Sequence, residues 1–380
     1  MPIPEEYERI KNGPQNPQER IWWDKYSHPH LEKWRTVCDP QADDCTALIK
    51  RGRPSAMLDE VESRARSEGG VFKTFMQHCY DVPGWVDFAT LEEGRRVFLR
   101  YAPLQGLVLL CSSLVEGYTL NKPAQVLVAT GRLQKDVTKR IYETGQLLHN
   151  MVGKDHIKPG SIGHRTLMEV RLTHSAVRQF LWAGGKWNAE AYDQPINQED
   201  MAGTVLGFDF MVSRGIARLG VNLSDEERRL MHYFWRYAGY VLGVREELLT
   251  QTIEEQEVLA LQLTTHLYNP TPDGEALAKA LLKDMSKQPP FSLSEDMLLA
   301  FAEFLGGSIL ADDFHIQPSA SSRMKVRMIR RFIKMASVGR YLTPDFLQRV
   351  VEGKNHEFRR KSIFNGLGGN PESFAFKGLA

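Results

Sequence analysis

The chain has 380 residues, 42% hydrophobic and 25% charged, enough apolar material to bury a sizeable core. Its 48 Lys and Arg balance 47 Asp and Glu, so no basic excess recommends a nucleic-acid partner. Four cysteines (Cys38, Cys45, Cys79, Cys111) form no CxxC pair, which excludes a zinc finger, a disulfide framework and covalent haem attachment through CxxCH.

Residues 1–37 are polar and proline-bearing, with Trp22, Trp23 and Trp34 as aromatic anchors, and read as an irregular arm. They contain no apolar signal core and no twin arginine. No later run reaches the roughly 18 apolar residues of a membrane span, so the expected location is cytoplasmic.

From 38 to 360 the periodicity is helical nearly throughout. One or two short helices fall within 40–66, followed by an aromatic-rich connection over 72–85. A single helix over 91–117, apolar in its second half, is expected at the centre. Pro123 opens the next element. The spacing of Leu133, Val137, Ile141, Leu148 and Val152 then predicts a helix over 132–152. Gly153 and Pro159 end it, and the next helix covers 164–183. Pro195 precedes a long helix over 198–219. Ser224-Asp-Glu-Glu227 has the form of a capping box and starts a helix to 242. Helices at 252–268, 273–286, 294–305, 319–339 and 344–352 complete the pattern. The segment 361–380 is glycine-rich and reads as a flexible tail. The fold class is all-α, one large helical domain.

Chemistry concentrates in Arg171-Leu-Thr-His174-Ser-Ala-Val-Arg178. On a helix, positions three before and four after His174 share its face. Leu167, Val170, Val177 and Leu181 share that general face, so the triplet points inward. Two permanent cations on such a stripe are costly unless anions meet them. A neutral imidazole that ligates iron, with arginines placed for two haem propionates, satisfies all three. A satisfied core histidine beside two ordinary arginines is the competing reading.

A second pair lies one helix earlier. Arg140 and Thr144 are four apart and share a face. A threonine hydroxyl can donate to a bound oxygen, and an arginine can stabilise developing negative charge. A salt bridge at Arg140 and a helix crossing at Thr144 explain the same residues without chemistry. Other candidates are His28 and His30, Thr130-Gly131-Arg132, His232, His266, and Asp312-Asp313 beside His315. No Walker loop, GxGxxG, GxSxG or HExxH occurs, which argues against nucleotide-dependent enzymes and ordinary hydrolases.

Taken in order, several segments resemble the haem-b oxygenases of the rubber oxygenase (latex clearing protein) and MpaB type. They are Cys38-Asp-Pro-Gln-Ala-Asp43, the stretch from Arg132 to Thr144, Arg171-x-x-His174-x-x-x-Arg178, and 208–249 with Arg214-Gly215, Leu219-Gly220-Val221 and Tyr240-x-Leu-Gly243-Val. The resemblance covers most of the chain, from about Cys38 to Leu249 with a looser C-terminal part, and implies a globin-like core around non-covalent haem b. It implies that His174 is the proximal iron ligand with Arg171 and Arg178 beside it. Arg140 and Thr144 then lie on the distal side as catalytic residues. The implied partners are O2, an apolar small molecule (isoprenoid, terpenoid or lipid-like) and an electron donor of unknown identity if one is needed. The implied reaction is oxidative cleavage of a carbon–carbon double bond. Glu143 stands where rubber-cleaving members carry a lysine able to occupy the distal iron position; it is expected to point to solvent. Glu116 and Glu143 are the candidates for a general base. A non-catalytic haem or lipid carrier on the same fold is the alternative.

Overall fold

The computed structural model describes residues 13–131, 137–153, 155–185, 187–339 and 343–367. Among them there is no strand, only one isolated antiparallel bridge between Leu120 and Tyr268. Arg132 and residues 368–380 lie outside the described residues.

Of the expected irregular arm, residues 1–12 lie outside the described residues, and 17–25 and 28–34 form helices instead. α1 (Pro17–Lys25) starts at Asn16, whose side chain accepts from the Glu19 amide, with proline in the first turn. α2 (His28–Trp34) follows. The fully buried Arg35 anchors both, because its guanidinium donates to Asp193 (2.5 Å), Glu199 (3.1 Å) and Asp200 (3.0 Å). Short caps and long-range ion pairs leave no periodic trace in sequence.

α3 (Pro40–Thr46) begins at its Asp39 cap, and α4 (Pro54–Ser67) precedes α5 (Gly70–Tyr80), so the aromatic-rich connection is helical as far as Tyr80. The expected single helix over 91–117 is broken. α6 (Phe88–Arg100) meets α7 (Ala102–Val108) at a 72° bend, and a π-helical turn (Leu109–Ser113) leads into α8 (Leu114–Gly117). Pro103 is the cause, since it lacks an amide donor and clashes with the preceding turn. No single described helix is long and apolar enough to cross a membrane; the bent pair alone passes by length and composition.

α9 (Asn121–Thr130) closes on Gly131 in the left-handed region. α10 (Val137–Met151) and α11 (Ile162–Ala183) then form an antiparallel hairpin, with Gly163 against the backbone of Asn150 and Met151. α12 (Ala189–Tyr192) is a single turn. The helix expected over 198–219 divides into α13 (Gln198–Phe208) and α14 (Phe210–Arg218) at Asp209. That carboxylate faces inward to His232 Nδ1 at 2.9 Å.

The capping box forms as expected and starts α15 (Asp225–Val241). α16 (Ile253–Leu267), α17 (Pro272–Asp284), α18 (Glu295–Asp313), α19 (Ala320–Ser337) and α20 (Asp345–Gly366) complete the fold. The expected flexible tail thus stays helical to Gly366.

The core is centred where α15 crosses α6. Gly94 makes the approach possible, since a Cβ there would collide with the Leu230 carbonyl, and Phe98 stacks on Phe234 beside Trp235. α11 packs against α3 and α4, and on another side against α10. α20 closes over α6 and α10.

At the α10–α20 contact the rings of His149 and His356 stack 4.5 Å apart. His149 Nδ1 and His356 Nε2 are buried with no hydrogen-bond partner among the described residues. Burial, then the His356 charge and those of Arg359 and Arg360, pushes His149 down to about 4. Burial pushes His156 to about 4 as well. An unfolded histidine titrates near 6.5, so below that pH the unfolded chain binds more protons than the folded one. Their contribution to stability is complete above about pH 6.5 and is lost as pH falls towards 4. Melting followed by circular dichroism should therefore give a lower Tm at about pH 5 than at about pH 7.5. His149→Gln should narrow that gap; an unchanged gap would clear the pair of responsibility.

Candidate active site

α11 carries Arg171, His174 and Arg178 on one side, and α3 lies against it. Arg171 is 2% exposed and Arg178 3%. Cations so deeply buried need counter-charge within reach. Arg171 Nε and Nη2 donate to the two oxygens of Asp39 at 2.5 and 2.8 Å, and Nη2 also to Gln41 at 2.8 Å. Arg178 Nε and Nη2 donate to Asp43 Oδ1 at 2.9 and 2.6 Å, and Nη1 to the Ile196 carbonyl at 3.2 Å. The anions that meet both arginines are therefore carboxylates of this chain, and neither fork needs the propionate expected from sequence.

The clamp is tightly specified. Asp39 caps α3 through the Ala42 amide at 3.3 Å while it holds Arg171. Burial raises its carboxyl, but the Arg171 charge outweighs that and holds it below the ordinary carboxylate range. Ser175 donates to Asp43 at 2.6 Å. Gly243 has φ +85°, and a Cβ there would sit 2.5 Å from Arg171 Nε and 2.7 Å from Asp39. Only glycine accommodates both the backbone and the ion pair.

His174 stands between the arginines, with no hydrogen-bond or ion-pair partner among the described residues. It is half-buried, and its Nδ1 is buried with no hydrogen bond among the described residues. Burial, then the Arg178 charge, pushes its pKa down to about 4, with Arg140 acting in the same direction. The ring is neutral at pH 7, the form that binds metal. His78 is different. Its Nδ1 accepts from Arg171 at 3.0 Å and its ring stacks on Tyr240, so it is a satisfied histidine, pushed to about 4 by burial and by Arg171.

α10 supplies the facing side. Arg140 and Thr144 are both half-buried, and Arg140 is near enough to lower the pKa of His174 and to act on Tyr118. The structure thus places Arg140 within electrostatic range of the histidine. Thr144 donates its hydroxyl hydrogen to the Arg140 carbonyl at 3.1 Å, inside its own helix. Glu143 is 8% exposed, so it points inward and not to solvent. Glu116 accepts from Ser112 at 2.5 Å and pairs with Arg214, an arrangement that occupies both carboxylate oxygens. A carboxylate so engaged is a structural anion rather than a base.

Tyr118 was not singled out from sequence. It is buried beside Arg140, and burial raises its pKa. Neither Asp39 nor Asp43 was read as an arginine partner, although their one-turn spacing just after Cys38 was visible.

The remaining candidates are accounted for elsewhere. His232 is held by Asp209 and by the Thr250 carbonyl, each at 2.9 Å. His28 bonds Thr265, His30 bonds the Asp24 carbonyl, and His315 bonds Glu275. All four cysteines are free. Among the described residues no group of three His, Cys, Asp or Glu is arranged for a metal ion. Two open grooves beside His315 share no lining residue with the His174 site.

Residues 99–335 match the family model of the ER-bound oxygenase mpaB/B'/Rubber oxygenase catalytic domain. The chain is 25% identical over 289 residues to Rubber oxygenase from Streptomyces sp. (strain K30), covering 72% of this chain and 69% of that one. Its fold is similar to that of Latex Clearing Protein LCP in the closed state, with a TM-score of 0.67 and 21% identity over 87% of this chain and 91% of the other. With more than half of its length matched and the helical architecture shared, the chain belongs to the MpaB and rubber oxygenase family and is an oxidoreductase of the oxygenase class.

Proposed function

We propose that the chain is a haem-b-dependent oxygenase that uses O2 on an apolar small molecule, isoprenoid, terpenoid or lipid-like, with cleavage of a carbon–carbon double bond as the reaction. The observation that carries this is His174. A buried ring nitrogen normally finds a hydrogen-bond partner, yet Nδ1 has none among the described residues. The ring is also held neutral, pushed to about 4. A neutral, half-buried imidazole with no hydrogen-bond partner among the described residues would suit a haem-iron ligand. The carrier alternative gives way to the oxygenase family to which the chain belongs.

Haem b, when bound, supplies the redox chemistry with O2. The chain's residues do the rest. Arg171 and Arg178 act as positioning residues, because their pairs with Asp39 and Asp43 fix the helix from which His174 projects. Arg140 offers a guanidinium to negative charge that develops on oxygen, as preorganised donors do. Thr144 donates there only after rotating off the Arg140 carbonyl. Val177 and Leu181, both buried near His174 on α11, contribute apolar wall.

Three outcomes test the assignment. Protein made with haem supplied should show a Soret band that shifts with dithionite and again with CO, and His174→Ala should lack it. A His174→Ala protein with an unaltered Soret band would remove His174 as the ligand. Thr144→Ala should retain haem and change turnover of an apolar substrate or the lifetime of the oxygen complex. Asp39→Ala strands the buried Arg171 charge and should lower unfolding stability by about 3–5 kcal/mol in urea titrations. Loss of less than about 1 kcal/mol would show that the clamp is no more than a surface-type pair.

A further inference from the structure

α19 has two apolar faces, and only one of them is packed among the described residues. On the inner face Ser322 and Val326 are buried, and Ile329 and Ile333 pack against the core. Helical spacing from those positions places Met324, Met328, Phe332 and Met335 on the opposite face. Phe332 is 68% exposed and Met335 69%, against 1% for Val326. A helix of a soluble domain ordinarily carries polar residues there.

The charge of α19 is equally one-sided. Its sequence holds six Lys or Arg and no Asp or Glu, in a chain of net charge +1. Two of the six are engaged: Arg323 is paired with Glu303, and Arg330 donates to the Arg218 carbonyl. Arg327, Arg331 and Lys334 make no ion pair among the described residues. At about 100° per residue, Arg327 and Lys334 flank one edge of the Met and Phe stripe, and Lys325 flanks the other. Arg331 borders the same edge of the stripe as Arg327 and Lys334, next to Met324 in projection.

We infer that α19 docks the protein on an anionic lipid surface, with Met324, Met328, Phe332 and Met335 entering the acyl boundary and Lys325, Arg327, Arg331 and Lys334 meeting the headgroups. The apolar stripe supplies burial that is independent of salt. The cations supply attraction to acidic lipids that salt screens. Long aliphatic stems let Lys and Arg beside such a stripe keep their charges at headgroup level. The charge complementarity selects the partner: a neutral bilayer would leave the cations unanswered. The helix is preformed on α18, so docking carries no cost of folding it. An apolar substrate dissolves in such a surface, which gives the docking a use, but the inference does not rest on haem.

Flotation of the full chain with vesicles tests this. Vesicles of phosphatidylcholine mixed with phosphatidylglycerol should carry the protein, pure phosphatidylcholine should carry much less, and high salt should reduce the difference. Met328→Glu with Phe332→Glu should weaken binding by on the order of tenfold for each side chain removed from the lipid. Both positions are exposed, so Tm should be unchanged and misfolding is checked directly. Lys325→Glu with Arg331→Glu should abolish the preference for the anionic lipid. Equal flotation on both vesicle types, or none on either, overturns the inference. So does a lipid-independent dimer, seen by sedimentation velocity, that Phe332→Glu dissociates, since a second copy would then occupy the stripe.

Discussion

Two guanidinium groups inside the protein, Arg171 and Arg178, set the terms for what surrounds them. Arginine stays charged at any physiological pH, so burial cannot be relieved by losing a proton. The chain answers with a carboxylate for each, both delivered by the short helix α3. Asp39 serves twice, as the cap that starts α3 and as the bidentate partner of Arg171. Placing α3 there requires α15 to end in a glycine turn, because any Cβ on Gly243 would meet the same ion pair. A local charge requirement thus fixes three elements distant in sequence. Such a pair contributes less by its own strength than by the penalty for losing half of it.

The same arrangement accounts for the state of His174. A ring flanked by cations and removed from water takes up a proton only at low pH, near 4. His78 shares the depression but accepts from Arg171, which uses its lone pair. His174 has no such partner among the described residues. Two histidines pushed down alike are thereby separated into one whose lone pair is used and one without a hydrogen-bond partner among the described residues. Arg140 completes the contrast, since it adds charge from α10 without closing off the ring.

How much of this was legible in the sequence follows from the range of each interaction. The helical class, the capping box at Ser224 and the shared face of Arg171, His174 and Arg178 depend on residues within a turn or two, and these were readable. Arg140 and Thr144 were placed on one helix correctly, but the Thr144 back-bond depends on a rotamer that spacing does not encode. The helices of the N-terminal segment depend on Arg35 reaching residues more than 150 positions later. The partners of the two arginines depend on contacts across more than 130 residues. Pro103 was visible, but the apolar run around it reads as continuous, which merges three helices and a π-turn into one.

The chain treats its cations in two opposite ways, and the difference is informative. Inside, every guanidinium of α11 named above has a carboxylate within 3 Å, because desolvation admits nothing less. On α19 most cations lack such an answer within the described chain, although carboxylates are as numerous as cations overall. Water solvates them, so no folding penalty forces a pairing. The exposed Met and Phe side chains beside them have no comparable excuse, since water gains nothing from their exposure. A stripe that opposes folding stability on its own, bordered by charge that folding leaves unpaired, makes physical sense as a surface completed from outside. The two guanidinium groups of the α11 clamp are electrostatically closed; α19 is left open.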